Sequence, residues 1–164
     1  MSRTAGRVNV REVMGFAFFL GLSLAVLLIG GAITAGSVID WYPGLIKPAF
    51  NPPPWLFGPV WSTLYILMAV AAWRVWRRIG WRRGRTALGL HIAHLLANLA
   101  WSALFFGLRR PDLALIDCAL LFLLVAATTL SFRHHDSMAW LLMLPYLAWV
   151  GFACLLNGAI VGLN

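Results

Sequence analysis

The side chains best suited to bind or transform a small molecule lie near the middle of the chain. His91, His94, Asn98, Trp101 and Phe105 fall within about 80° of one another when this segment is drawn as a helix at roughly 100° per residue. Another face of the same helix carries Gly89, Ala93 and Ala97. Small residues at this spacing favour close contact with another helix, in the same chain or in a second subunit. We therefore predict one polar, aromatic face and one smooth packing face.

Two other segments also place aromatic side chains on single helical faces. Trp61 and Tyr65 lie one turn apart in the first segment, and Tyr146, Trp149 and Ala153 form a stripe in the second. Small-molecule sites are mostly apolar and aromatic, with a few well-placed polar groups. The three faces together predict a flat, apolar pocket.

The ionisable residues inside apolar segments leave several interpretations open. Asp117 is predicted well inside such a segment, where a charge is costly and usually functional. We expect it to point inward, toward Asn98 or His94, either in a ligand site or in a structural hydrogen bond. His91 and His94 are spaced i, i+3, so they could approach a metal or haem iron, or hydrogen-bond to a neighbour instead.

Other polar or aromatic residues are expected to have no chemical role. His134, His135 and Asp136 are predicted to form a solvated turn, and Cys118 and Cys154 to be small core residues without a disulfide. Four further tryptophans fit an aromatic belt at the membrane interface: Trp73, Trp76, Trp81 and Trp140. The sequence contains no phosphate loop, nucleophile elbow or metal box, so we expect no metal and no obligatory cofactor.

The composition of the chain excludes an ordinary water-soluble fold. It is 62% hydrophobic and 11% charged, with a mean hydropathy of +0.83, against roughly 45 to 50% apolar and about 25% charged residues in soluble domains. A net charge of +8 would suggest nucleic acid in a soluble protein. Here the arginines cluster beside apolar runs, where they orient helices and contact lipid. We predict an integral membrane protein that contacts membrane lipid and no nucleic acid.

The apolar runs predict an all-α bundle of five transmembrane helices, since one crossing takes about 20 residues. The predicted spans are Val13 to Ser37, Pro59 to Ile79, Thr86 to Gly107, Asp112 to Phe132 and Met138 to Gly162. All 13 Lys and Arg residues except Lys47, Arg109 and Arg110 then share the side of the N-terminus, which the positive-inside rule places in the cytoplasm. Residues 1–12 form a basic segment, and residues 13–164 form a single membrane domain.

The connection between the first two spans, Val38 to Gly58, is long and rich in proline and aromatic residues. Because proline removes backbone donors and fixes φ, we expect no helix in this stretch. Its aromatic side chains can pack, so we expect an ordered loop that covers something. These aromatic residues are Trp41, Tyr42, Phe50, Trp55 and Phe57.

Motifs in this loop and in three of the spans resemble the translocator protein family. This family is also called TspO/MBR or the peripheral benzodiazepine receptor family, and its bacterial members are tryptophan-rich sensory proteins. The loop reads WYPGLIKP at 41–48 and PPPWLFGPVW at 52–61. The spans add NLAW at 98–101, DC at 117–118, LPYLAW at 144–149, FA at 152–153 and LN at 156–157. The likeness covers essentially the whole chain after the basic N-terminal segment.

The resemblance implies a five-helix bundle, commonly a homodimer, whose cavity opens beneath the loop between the first two helices. It implies binding of porphyrins such as protoporphyrin IX and haem, and of benzodiazepine and isoquinoline carboxamide drugs. By motif position, Trp61 and Trp149 are the pocket tryptophans, linked in some bacterial members to light-dependent breakdown of protoporphyrin. Ala153 lies where side-chain size affects ligand affinity. The other ligand-binding candidates are Trp41, Tyr42, Trp55, Phe57, Tyr65, Asn98, Trp101, Asp117 and Tyr146.

The chain departs from the animal members because no Lys or Arg follows Arg133, so the cholesterol-recognition stretch is missing. We expect a bacterial type of member, in the cytoplasmic membrane, without high-affinity cholesterol binding. The leading hypothesis is a receptor or sensor for tetrapyrroles, with Lys47 or nearby loop donors meeting the propionates. The alternatives are a light- and oxygen-dependent protoporphyrin-degrading enzyme that uses Trp61 and Trp149, a porphyrin or lipid transporter, and a structural partner without a ligand. Five spans do not divide into two equal inverted repeats, which counts against a transporter.

Overall fold

Four long apolar helices make up most of the protein, and each is long and apolar enough to cross a membrane. The computed structural model describes residues 9–164, and this part of the chain contains helices and turns but no strand. The long helices are α1 (Val10–Asp40), α2 (Pro54–Ser102), α3 (Pro111–Arg133) and α4 (Ser137–Leu163). A short 3₁₀ helix spans Tyr42–Gly44, and a π-helical turn spans Ala103–Gly107.

Helix α2 is interrupted at Gly80 and folds back on itself there. Gly80 has φ 66° and ψ 179°, a left-handed conformation that glycine adopts without a steric penalty. The Tyr65 hydroxyl donates a hydrogen bond to Asn98 Oδ1 at 2.5 Å, although the two residues would be about 50 Å apart in one straight helix. We call residues 54–79 the first arm of α2 and residues 81–102 its second arm. The two arms therefore lie side by side.

Several predicted helix boundaries are wrong, although each predicted span coincides with helical structure. The stretch expected to lack helix is helical at both ends, because α1 continues to Asp40 and α2 begins at Pro54. Proline is tolerated in the first turn, where its missing N–H would have no intrahelical partner. The basic stretch at 81–85, expected in a loop, continues α2 after the single non-helical residue Gly80. The predicted basic segment covers residues 1–12. Residues 1–8 lie outside the described residues, and residues 10–12 belong to α1.

The core lies where the two arms of α2 pack against α1, α3 and α4. The first arm contributes small or flexible residues to this contact, including Met68, Ala69 and Ala72, all of which are fully buried. Small residues allow helices to approach closely, which is how bundles pack in lipid. Large apolar side chains such as Leu28, Ile116 and Leu155 are exposed on the outside, as expected where lipid rather than water surrounds the helices.

The structure overturns the prediction that the two cysteines are unpaired core residues. Cys118 of α3 and Cys154 of α4 form a disulfide, with their Cα atoms 5.6 Å apart. This separation lies within the usual range for a bridged pair. The sequence argument considered each cysteine within its own helix and could not show that the two helices bring them together.

The prediction of a solvated turn is also wrong for Asp136, which is 1% exposed. Its carboxylate accepts a hydrogen bond from the Ala139 backbone N–H at 2.8 Å, which caps α4. It also pairs with Arg74 and Arg78 of the first arm at 3.1 and 2.8 Å. Burial alone would raise the pKa of Asp136, but the cap and the two guanidinium groups lower the pKa below its usual value.

Candidate functional site

Four aromatic side chains from two segments form the centre of the site, which we call the aromatic cage. Trp61 of the first arm meets Trp149 of α4 edge to face, with ring centroids 6.5 Å apart and planes at 88°. Tyr65 and Tyr146 flank Trp61 at 5.9 and 6.3 Å. Both tyrosines are buried, whereas both tryptophans are half-buried. Two of the three predicted aromatic faces, those of the first arm and α4, therefore meet.

Asn98 of the second arm ties the cage together from below. Its Oδ1 accepts the Tyr65 hydroxyl at 2.5 Å, and its Nδ2 donates to the Tyr146 hydroxyl at 3.2 Å. One buried amide thus connects both arms of α2 to α4. Because an amide can donate and accept at once, Asn98 can satisfy both tyrosines, which no apolar residue of similar size could do.

Phenylalanines at the loop side of the cage extend its wall. Phe57, a predicted site residue, lies 6.0 Å from Trp149. Phe152 lies 5.5 Å from Trp149 and 6.3 Å from Phe50 of the loop. Phe152 and Phe50 were not among the predicted ligand-binding residues. The spacing of Phe152, three residues after Trp149, could have indicated that it shares the same helical face.

Three predicted site residues form a second aromatic cluster, separate from the cage. Trp101 stacks on Phe105 at 5.1 Å, and its Nε1 donates to Asn157 Oδ1 at 3.0 Å. Trp41 and Tyr42 of the loop contact the same Phe105 at 5.6 and 6.3 Å. This cluster holds the loop against the π-helical turn, and its residues do not contact Trp61 ring to ring within residues 9–164.

Polar side chains fasten the loop at two points. Lys47 donates from Nζ to the carbonyl oxygens of Tyr42, Pro43 and Leu45 at 2.8, 3.2 and 2.7 Å, so all three of its donors are engaged. A propionate would therefore have to compete with these carbonyls for the ammonium group. Asn164 accepts from the Ile46 N–H and donates to the Ile46 carbonyl, both at 3.0 Å.

Tyr42 adds a third polar contact within the loop. Its hydroxyl donates to Asn51 Oδ1 at 2.9 Å. Burial raises the pKa of Tyr42, and the bond to Asn51 offsets this only in part. Tyr42 therefore stays a neutral hydrogen-bond donor, which helps to keep the loop ordered.

Two predicted residues lie away from the cage or lack their expected contacts, and a third lies one turn from Trp149. Trp55 is 71% exposed at the start of α2. Asp117 is half-buried, and its Oδ2 is enclosed without a hydrogen-bond partner among residues 9–164. The predicted bond from Asp117 to Asn98 or His94 is therefore not formed. Ala153 is half-buried one turn after Trp149, so its side chain lies on the cage side of α4.

The two helical histidines bond to each other rather than to a carboxylate. His94 Nε2 lies 3.1 Å from His91 Nδ1, and both side chains are fully buried. Within residues 9–164, no group of three or more His, Cys, Asp or Glu side chains could hold a metal ion.

An open groove of about 500 Å³ lies elsewhere, between α1 and the first arm. Glu12, Phe16, Val70 and Trp73 line it, and none of the predicted ligand-binding residues does. The rings of the cage instead contact one another, so a flat ligand would have to separate them before it could bind between Trp61 and Trp149.

The long apolar helices and the exposed apolar surface define an integral membrane protein. The chain belongs to the TspO/MBR family, which matches residues 19–163. A tryptophan-rich protein TspO from Chlorobaculum tepidum is 40% identical over 156 residues, covering 94% of this chain and 98% of the relative. The human translocator protein is 38% identical, covering 84% of this chain and 85% of the relative. A tryptophan-rich sensory protein from Cereibacter sphaeroides is 38% identical, covering 92% and 94%.

Proposed function

We propose that this protein is a membrane receptor or sensor that binds tetrapyrroles and similar flat, hydrophobic ligands in the aromatic cage. The observation that carries the proposal is the edge-to-face pair of Trp61 and Trp149 over a buried polar floor of Tyr65, Asn98 and Tyr146. Perpendicular indoles provide two different apolar surfaces for a planar ring. Burial of such a ring contributes about 25 cal/mol per Å² of apolar area. The name of one relative, a tryptophan-rich sensory protein, fits this proposal.

Ligand entry would require motion of the loop and of the cage aromatics. On the loop side, Phe57 contacts Trp149 and Phe50 contacts Phe152, while Asn164 holds the loop through its hydrogen bonds to Ile46. Drugs of the benzodiazepine and isoquinoline carboxamide classes would use the same apolar surface.

We further propose five membrane crossings with the N-terminus in the cytoplasm. At a rise of 1.5 Å per residue, the two arms of α2 measure roughly 39 and 33 Å, enough to cross a hydrocarbon core of about 30 Å each. Their reversal at Gly80 supports two crossings within α2. The arginines at 74–85 and Arg133 then join the N-terminal arginines on one side, which favours a cytoplasmic location for that side.

A homodimer is proposed on the smooth face of the second arm. Gly89 is exposed, and a Cβ placed on it would meet no atom within 4 Å. Ala93 is half-buried, whereas Ala97 already packs inside the bundle. The exposed part of this face leaves room for the close approach of a helix from a second copy.

Light-dependent degradation of protoporphyrin is a second candidate function. Trp61 and Trp149 would touch the bound ring on two sides. The degradation would require light, oxygen and both tryptophans. Transport of porphyrin or lipid is a further alternative, which flux measurements in proteoliposomes would test.

The test of ligand binding is a titration of the detergent-purified protein with protoporphyrin IX in the dark, followed by tryptophan fluorescence. We expect saturable quenching in the wild type and weaker, shifted quenching in the Trp61→Phe/Trp149→Phe double variant. Trp140→Phe is the matched control, because Trp140 packs against Arg133 outside the cage. Linear quenching of equal slope in all three proteins would show partitioning into detergent and refute the proposal. Illumination of the same samples then tests degradation.

A further inference from the structure

The histidine pair forms a closed polar unit inside the bundle. Neither His91 nor His94 is exposed, and their rings are bonded through His94 Nε2 and His91 Nδ1. Side chains from three other helices surround the pair. They are Phe19 of α1, Phe132 of α3 and Tyr146 of α4, with ring centroids at 6.1, 6.2 and 5.4 Å. Ionisable residues enclosed at this depth are costly and usually functional.

The two outer ring nitrogens have no hydrogen-bond partner among the described residues. These are His91 Nε2 and His94 Nδ1, and the Ser23 hydroxyl of α1 is likewise buried and unpaired within residues 9–164. Each buried polar group left unpaired costs about 1 to 3 kcal/mol. Groups of this kind are usually satisfied by an internal water, which forms about three hydrogen bonds.

Ser23 lies at the level of the pair. Helix α1 contacts the second arm at Phe19 and His91, and again where a Cβ on Gly30 would lie 3.5 Å from Ser102 Oγ. In both contacts the residue of the second arm lies 72 positions after its partner in α1, so the two helices run parallel in constant register. The same separation places Ser23 level with Leu95, the residue that follows His94. The three unpaired groups therefore belong to one region between α1 and the second arm.

The number of hydrogens on the four ring nitrogens determines whether the pair can bind a metal ion or a water molecule. Two neutral imidazoles share one hydrogen between His94 Nε2 and His91 Nδ1. If His94 carries that hydrogen, its Nδ1 is bare and His91 Nε2 carries a hydrogen; if His91 carries it, the roles reverse. One outer nitrogen is thus always a donor and the other an acceptor. A metal held by both would need two bare nitrogens, whereas water donates and accepts and fits either arrangement.

We propose that His91, His94 and one water, bound between their outer nitrogens and Ser23, form a closed proton relay inside the bundle. The water gives a proton to His94 Nδ1, the shared hydrogen moves from His94 Nε2 to His91 Nδ1, and His91 Nε2 returns a proton to the same water. The water loses one proton and regains one, both rings end neutral, and both tautomers are reversed. The reverse transfer restores the first arrangement.

The relay lies between two different parts of the protein, which its rings contact. His94 contacts Tyr146, which belongs to the polar floor of the cage. On the other side, His91 contacts Phe19, which in turn packs against Trp76 at 6.4 Å. Trp76 Nε1 is also buried and unpaired within residues 9–164, and Arg11 lies over its ring. The titratable groups facing the pair are the phenols of Tyr146 and, through Asn98, Tyr65. The relay does not depend on which ligand the cage binds.

The test is solid-state NMR of protein labelled with ¹⁵N-histidine in lipid bilayers, because ring-nitrogen signals distinguish the two tautomers. We expect both tautomeric arrangements of the pair, in exchange, with contacts from the ring nitrogens to water. His94→Gln assigns the signals, and His134→Gln is the matched control in the exposed turn. Ser23→Ala, which keeps the packing, should slow tautomer exchange roughly fivefold, the factor expected for one hydrogen bond.

Two results would overturn the proposal. A single fixed tautomer in the wild type, without contacts to water, would make the pair a static structural bond. Exchange that is equally fast in the Ser23→Ala variant would show that no water held by Ser23 takes part. Both readouts are independent of porphyrin binding, so failure of the relay is distinguishable from failure of the proposed receptor function.

Discussion

Asn98→Leu removes the one side chain that hydrogen-bonds to both cage tyrosines. The Tyr65 and Tyr146 hydroxyls, bonded to Asn98 at 2.5 and 3.2 Å, would both lose their partner inside the bundle. An orphaned buried group costs about 1 to 3 kcal/mol, whereas measured hydrogen bonds between membrane helices average about 0.6 kcal/mol. Two bonds of the latter size sum to about 1 kcal/mol and two orphaned groups to about 2 to 6 kcal/mol, so we expect a destabilisation of about 2 to 4 kcal/mol, in the lower half of the second range.

The single tyrosine variants should cost less than the loss of Asn98. Tyr146→Phe leaves the Tyr65–Asn98 bond intact and should destabilise the protein by about 1 kcal/mol. Tyr65→Phe leaves Asn98 Oδ1 without a donor and should destabilise it by about 1 to 2 kcal/mol. The triple variant Tyr65→Phe/Asn98→Leu/Tyr146→Phe leaves no orphaned group of this network. It should therefore be more stable than Asn98→Leu alone.

The assay is unfolding by SDS in mixed micelles, followed by circular dichroism at 222 nm. The order of midpoints should be wild type, Tyr146→Phe, Tyr65→Phe and then Asn98→Leu, with partial recovery in the triple variant. If the triple variant is destabilised by the sum of the three single effects, orphaned polar groups do not explain the cost, and the polar floor has no connecting role.

Two further predictions concern the ends of the bundle. Because the pKa of Asp136 is lowered in the folded protein, its contribution to stability is present above its unfolded pKa of about 4 and is lost as the pH falls through the folded pKa. Asp136→Asn should therefore destabilise the protein by about 1 to 2 kcal/mol at pH 7, with a flatter acid dependence of the SDS midpoint; parallel curves for both proteins would contradict this. Asn164→Ala removes both bonds to Ile46 and should speed proteolysis within the loop several-fold without moving the SDS midpoint, whereas unchanged cleavage would show that Asn164 does not hold the loop.

Hydropathy located the helices because long apolar runs are a strong, local signal. It did not show that α2 continues on both sides of the single residue Gly80. The basic stretch after Ile79 was expected in a loop because it is charged. Arginine is nevertheless a good helix former, and the reversal of α2 needs only the positive φ of Gly80. A window average does not distinguish one glycine at a turn from a glycine within a helix.

The cage was predictable because aromatic residues one turn apart must share a helical face, and the family motifs mark the same positions. Periodicity could not show which faces meet. Trp101 was grouped with Trp61 from its helical face, and Trp41 and Tyr42 from the family resemblance, although all three pack around Phe105. Asp136 was missed for a similar reason, because its partners Arg74 and Arg78 lie some sixty residues earlier in the chain.

The loop is the part of the site that can open at the lowest free-energy cost. The cage and its floor are held by buried contacts among three segments, whose loss would loosen the bundle itself. The loop is held to the bundle by the Asn164 hydrogen bonds to Ile46, each worth about 1 kcal/mol, and by the half-buried rings of Trp41 and Tyr42 on Phe105. Local opening can therefore precede global unfolding. On the proposed function, a ligand that entered from the loop side would meet Phe50 and Phe152, which link the loop to Trp149.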